Sequence, residues 1–133
     1  MHTVTVSSHV PASPDTVWSM IGDPASISSW HPAIAESPVD GDMRKCTLAD
    51  GAEIHERIEQ VDEASRAFTY TITESPLPLS DYRSTIQVDA EGSGSVVEWT
   101  ASFEPVGAPI EDVAELLKGV YSAGLGALRA EFG

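Results

Sequence analysis

The sequence predicts an α+β domain in which one antiparallel sheet curves around a single long helix. Three observations carry that prediction. The last stretch, APIEDVAELLKGVYSAGLGALRAEF from Ala108 to Phe132, repeats apolar residues at three- and four-residue steps. From Ala33 to Glu104 the chain reads as strand and turn with short links, which pair neighbours antiparallel. Nothing earlier has the length to be a partner helix, so the terminal helix must lie across the sheet.

Taken in order, residues 2–10 alternate Val4, Val6 and Val10 with Thr3, Thr5, Ser7 and His9, a first strand that Pro11 and Pro14 close. Ser13 is a suitable N-cap for a short helix with Pro14 and Asp15 in its first turn and Val17, Trp18, Met20 and Ile21 on its buried side. Gly22-Asp23-Pro24 stops it, and Pro24–Ser29 makes a second helical turn before Trp30-His31-Pro32. Strands are then expected at Ala33–Val39, Met43–Leu48, Glu53–Asp62, Arg66–Glu74, Ser80–Asp89 and Ser95–Glu104, separated by turns at 40–42, 49–51, 63–65 and 91–94. Pro76 and Pro78 interrupt the sheet, because neither can sit in a central strand. The order is β-αα-ββββββ-α, seven strands in all.

The long helix opens on Pro109, with Glu111 and Asp112 near the positive end of its dipole. Ile110, Val113, Leu117, Val120, Tyr121, Gly124 and Leu128 fall on one face. Gly119, Gly124 and Gly126 oppose helix formation by roughly 1 kcal/mol each against Ala. That glycine-notched face either packs closely on the sheet or leaves space for a ligand.

The chain has 133 residues, the size of one domain, spanning 1–133. Seven basic and 21 acidic residues give a formal charge of −14. Such a surface repels phosphate backbones and anionic lipid, so neither nucleic acid nor a membrane is an expected partner. Cys46 is the single cysteine, which excludes an internal disulfide. MHTVTVSSHV has neither a basic n-region nor an apolar h-region, so no secretory leader is expected and the expected location is cytoplasmic.

Familiar catalytic signatures are missing: there is no GxSxG, HExxH, Walker loop or CxxC. His2, His9, His31 and His55 lack metal-ligand spacing, so neither a metal nor any other cofactor is expected. Strand alternation says more. Glu56 lies between Ile54 and Ile58 and shares their inward face. A carboxylate there is either satisfied by a structural partner or water, or faces a ligand. Tyr82 and Ser84 share a face with Ile86 and Val88, and Tyr70 and Ile72 repeat the pattern. These hydroxyls suit the few convergent polar groups of a small-molecule pocket, or a core with satisfied tyrosines. His31 reads as a protonated anchor for an anion, a proton shuttle, or simply a partly buried polar residue. Strict alternation turns Val97, Trp99, Ala101 and Phe103 inward and Glu98 out to water.

The spacing of DxxxxxxWHP, DGxxxxERxxxxD and PLPLSDYRST, followed by the long helix, resembles the SRPBCC (START-like, helix-grip) superfamily. The likeness spans nearly the whole chain and extends to its polyketide cyclase/dehydrase group and its plant abscisic-acid receptors. It implies a seven-stranded antiparallel sheet gripping the C-terminal helix around an apolar cavity. By the same resemblance the receptors' cavity lysine falls at His31, and their gate loop at Ala49-Asp50-Gly51-Ala52. The latch falls at Leu77-Pro78-Leu79, and a second cavity glutamate at Glu98, against strict alternation. The latch lacks its His-Arg pair, and His31 stands where lysine would, so hormone signalling is not implied.

The expected function is therefore binding, or lipid-type transport, of a small hydrophobic and cyclic or polyketide-like molecule. Its expected contacts are His31, Ile54, Glu56, Tyr70, Ile72, Leu79, Tyr82, Ser84, Glu98, Leu117, Val120, Tyr121 and Gly124, with gates at Asp50, Gly51, Ala52, Leu77 and Pro78. The alternative is a cyclase/dehydratase using the same cavity, with Glu56 or His31 as general base and Tyr82 donating to an enolate. A protein-binding role for the grooved sheet ranks last. Both a monomer and a homodimer are compatible with the sequence.

Overall fold

The computed structural model describes residues 2–132. Strand β1 (His2–Val10) leads into helix α1 (Pro14–Ile21), a 3-10 turn (Pro24–Ser26) and helix α2 (Ile27–Trp30). Strands β2 (Ile34–Glu36), β3 (Val39–Asp40), β4 (Met43–Leu48), β5 (Glu53–Asp62), β6 (Ala67–Glu74), β7 (Leu79–Glu91) and β8 (Gly94–Pro105) follow, and helix α3 (Ile110–Phe132) ends the chain. The sheet runs β1-β8-β7-β6-β5-β4-β2, with β3 paired to β4, and every pairing is antiparallel.

The predicted strand at 33–39 is two short strands instead. Ser37 turns inward, where its hydroxyl donates to the Ala25 carbonyl (2.7 Å) and accepts from the Ser28 N–H (3.1 Å). This ties the break to the α1–α2 corner, and Pro38 has no N–H to continue a ladder. Ser13 caps α1 by accepting from the Thr16 N–H, and the Asp23 side chain caps the following turn through the Ala25 N–H. A β-bulge between Ser80 and Arg83, with Asp81 at φ 52, offsets Leu79 and Ser80 from the alternation that buries Tyr82 and Ser84.

Helix α3 lies against β1 and β8 and buries Val113, Leu117, Tyr121, Gly124, Leu125 and Leu128. The inward face is therefore rotated from the predicted one. Leu125 belongs to it, whereas Val120 is 37% exposed. Gly124 resolves the question of the glycine notch in favour of close packing: a Cβ there would stand 2.6 Å from His31 Cδ2 and 3.0 Å from the Trp99 ring. Gly119 and Gly126 face open space.

Candidate functional site

Between the inner faces of β4–β8, helix α2 and the middle of α3 lies a cavity of about 140 Å³. Its wall is mostly aliphatic and aromatic. Ten of the expected positions border it: His31, Ile54, Glu56, Tyr70, Ile72, Leu77, Tyr82, Leu117, Val120 and Tyr121. Sequence reasoning missed Ile27, Ala33, Ile34, Cys46, Leu48, Trp99 and Leu116. Alternation along β4 puts Cys46 on the inward face, so that signal was present. Nothing local marks Leu116, which is 40% exposed and stands with Val120 at the solvent side.

Several expected contacts fall elsewhere. Glu98 is exposed and pairs in unbroken register with Gln87, so alternation prevails over the position the resemblance implied. Ser84 is buried behind the tyrosines rather than in the wall. Leu79 packs against the core but borders a separate groove with Thr73 and Asp81, not the cavity. Gly124 is covered by His31 and Trp99. Of the proposed gate residues Leu77 touches the cavity, whereas Asp50, Gly51, Ala52 and Pro78 do not border it.

Glu56 is buried, as alternation requires, and it is held by Arg44 directly across the β4–β5 ladder. Arg44 Nε donates to Glu56 Oε1 at 2.6 Å, and Nη1 donates to the Pro24 carbonyl at 2.8 Å. The guanidinium carbon lies 4.9 Å from the Tyr70 ring centre, within cation–π range. Arg44 Nη2 has no partner. Burial is the largest influence on Arg44 and opposes its charge, but the Glu56 carboxylate, its hydrogen bond, and the neighbouring Cys46 and Tyr70 together hold the pKa above its usual value. The Cys46 thiol also donates to Glu56 Oε1, at 3.3 Å. Burial and then the Glu56 charge push that thiol up to about 12.

His31 is 2% exposed, and both ring nitrogens are engaged. Nδ1 accepts from the Ala33 N–H at 3.1 Å, which fixes the proton on Nε2, where it donates to the Val120 carbonyl at 2.8 Å. Burial lowers its pKa, partly offset by the Val120 bond. The protonated anchor considered from sequence is thus corrected: the imidazole is a neutral brace between α2 and α3, with no N–H left for a ligand anion.

At the other end of the wall Tyr70, Tyr82 and Tyr121 join through their hydroxyls. Tyr70 and Tyr82 are 3.3 Å apart, and Tyr82 bonds Tyr121. Ser84 donates to the Thr100 carbonyl (2.9 Å) and lies 3.3 Å from the Tyr121 hydroxyl. The Trp99 indole N–H is shared between Ser84 Oγ (3.1 Å) and Tyr70 Oη (3.2 Å). The Trp99 ring stacks on Tyr121 with centres 4.4 Å apart. Burial raises the pKa of all three tyrosines, so they remain neutral phenols.

No group of three or more His, Cys, Asp or Glu among the described residues is arranged to hold a metal. No helix among them is long and apolar enough to cross a membrane.

The family model described as polyketide cyclase / dehydrase and lipid transport matches residues 1–133. None of the curated proteins matches. Among solved structures, the protein XoxI from Bacillus cereus is 38% identical, with 99% of this chain and 96% of that one covered at a TM-score of 0.96. A START superfamily protein from Mycobacterium smegmatis aligns over 99% of this chain and 97% of its own at 14% identity and a TM-score of 0.85. Norcoclaurine synthase from Thalictrum flavum, solved in complex with dopamine and hydroxybenzaldehyde, aligns over 97% of this chain and 84% of its own at 19% identity and a TM-score of 0.72. The last two likenesses speak for the fold alone, a sheet of this topology wrapped on a long C-terminal helix.

Proposed function

Because the chain belongs to the polyketide cyclase/dehydrase and lipid-transport family of SRPBCC (START-like) proteins, we propose that it binds a small hydrophobic molecule in the cavity between sheet and α3. The observation that carries this reading is an apolar space of about 140 Å³ left between well-packed elements. Protein interiors normally close such gaps, since each void forfeits dispersion contacts. A cavity of about 150 Å³ lined by aliphatic and aromatic groups is known to stay dry and take up benzene. The ligand is accordingly about one ring in size, unless α3 or the loop at 75–78 moves outward to admit more. A long acyl chain does not fit the cavity in this conformation.

Burying about 200 Å² of such a ring, the area of a buried aromatic side chain, at about 25 cal/mol per Å² yields about 5 kcal/mol. That corresponds to a Kd of a few hundred micromolar. Titration of the protein with toluene, followed by ¹H–¹⁵N NMR, tests the reading. Shifts confined to the cavity wall and abolished by Ile72→Trp are expected. Saturating toluene without shifts at Ile54, Ile72 and Leu117 would overturn it. Turnover is the weaker reading, because His31 has no nitrogen free, Arg44 occupies Glu56 Oε1, and Tyr82 is committed to its neighbours.

A further inference from the structure

We propose that the cavity selects a neutral ring carrying a hydrogen-bond donor, a phenol or a related N–H compound, and discriminates against ligands whose buried polar group is a carbonyl or carboxylate. This rests on the binding reading above and adds to it the polarity of the ligand. An acceptor buried in a cavity needs a donor from the wall, and every side-chain donor in this wall is already used inside the protein.

The tyrosine cluster decides the matter, because its direction follows from one end. Ser84 has a single hydroxyl hydrogen, and the Thr100 carbonyl takes it. Towards Tyr121, Ser84 Oγ must therefore accept, so Tyr121 donates to it. Tyr121 then has no hydrogen left for Tyr82, and Tyr82 donates to Tyr121. By the same step Tyr70 donates to Tyr82. The result is a one-way chain, Tyr70 to Tyr82 to Tyr121 to Ser84 to Thr100, in which all three phenol hydrogens are spent. The reverse direction loses the Tyr121–Ser84 bond and leaves the Tyr70 hydrogen without a protein acceptor, so it makes one bond fewer.

The remaining side-chain donors of the wall are also spent, and the unpartnered Arg44 Nη2 belongs to a residue outside it. The Trp99 N–H goes to Ser84 and Tyr70, the His31 N–H to the Val120 carbonyl, and the Cys46 thiol to Glu56. What the wall still offers is acceptor capacity, above all at Glu56, where both Arg44 and Cys46 fall on Oε1. A ligand O–H or N–H can bond that carboxylate with charge assistance. A ligand cation gains less, because Arg44 already neutralises Glu56 and a second positive charge would be buried unpaired. A ligand carbonyl finds no donor without reversing the chain, and a buried acceptor left unpaired is disfavoured.

The test is a calorimetric or NMR titration of the wild-type protein with phenol, benzaldehyde and toluene, repeated on Ser84→Ala. Phenol is expected to bind at least tenfold more tightly than benzaldehyde. In S84A the Tyr121 hydrogen loses its acceptor and the chain is free to reverse, so the ratio should fall towards one. That variant does not alter the cavity wall, and its near-UV circular dichroism reports whether it folds. Benzaldehyde binding the wild type as tightly as phenol overturns the proposal, while toluene binding in the same experiment leaves the cavity reading intact. An unchanged ratio in folded S84A also overturns it, since the committed chain would not be what sets the preference. No binding by any of the three removes both readings together.

Discussion

Arg44 and Glu56 face each other across β4 and β5 at 2.6 Å, with the arginine side chain fully out of solvent and the glutamate 8% exposed. A pair this deep is held in place by the high cost of separating its members rather than by a large net gain. Glu56→Gln, which keeps the shape and removes the charge, is expected to destabilise the protein by about 3–5 kcal/mol, because Arg44 is then buried uncompensated. The double replacement Arg44→Met with Glu56→Leu should recover most of that loss. Urea unfolding of the singles and the double checks the cycle, and a double no more stable than E56Q would contradict it.

At Gly124 helix α3 packs directly on His31 and Trp99. Ala at 124 must displace His31 and Trp99, whose ring atoms would lie 2.6–3.0 Å from the new Cβ. Against the usual gain of replacing a helical glycine by alanine, overpacking of this kind costs about 1–3 kcal/mol. A lowered Tm is expected for Gly124→Ala. Gly119→Ala and Gly126→Ala, which meet nothing, should raise Tm, and so the three variants together separate packing from helix propensity.

The buried His31 makes stability depend on pH in a definite direction. Its folded pKa lies below the ordinary 6.5. In the window between the two values the unfolded chain binds more protons, so stability rises with pH. The contribution is complete above 6.5 and is lost as pH falls towards the folded value. Unfolding free energy measured from pH 7.5 downward should decline from about 6.5, before the carboxylates titrate, and His31→Gln should flatten that part of the profile. An identical profile for the variant would show that the imidazole is not the group responsible.

Cys46 should be nearly inert in the folded protein. Raising a thiol from 9.0 to about 12 lowers the thiolate fraction at neutral pH about a thousandfold, since thiolate is the reacting form. Reaction with a chromogenic disulfide should therefore be slow in buffer and fast in urea. Toluene in the cavity should slow it further, because Cys46 is part of the wall. Rapid labelling of the native state would mean that the β4 face opens readily.

How much of this was legible beforehand varies with the type of signal. The helix at Ile110–Phe132, the cap at Ser13 and the inward turn of Glu56, Tyr70 and Tyr82 all follow from periods of 3.6 and 2 and from turn residues. Arg44 carries no local sign of burial, because arginine is ordinarily a surface residue. The turn at 49–52 nevertheless fixes the register that sets Arg44 against Glu56, so a hairpin drawn out residue by residue would have found the pair. Glu98 shows the converse, where simple alternation was a better guide than a position carried over by likeness.

The sequence by itself determined which side of each strand and helix is apolar, because that is a property of neighbours along the chain. Whether the opposed faces meet, and which polar groups find one another there, belongs to contacts between distant segments. His31 and Val120 are 89 residues apart, Ser84 and Tyr121 are 37. Periodicity tells where a side chain points but says nothing of what stands opposite. The closed notch at Gly124, the cavity beside it and the direction of the tyrosine protons were therefore decided only when the sheet curved onto the helix.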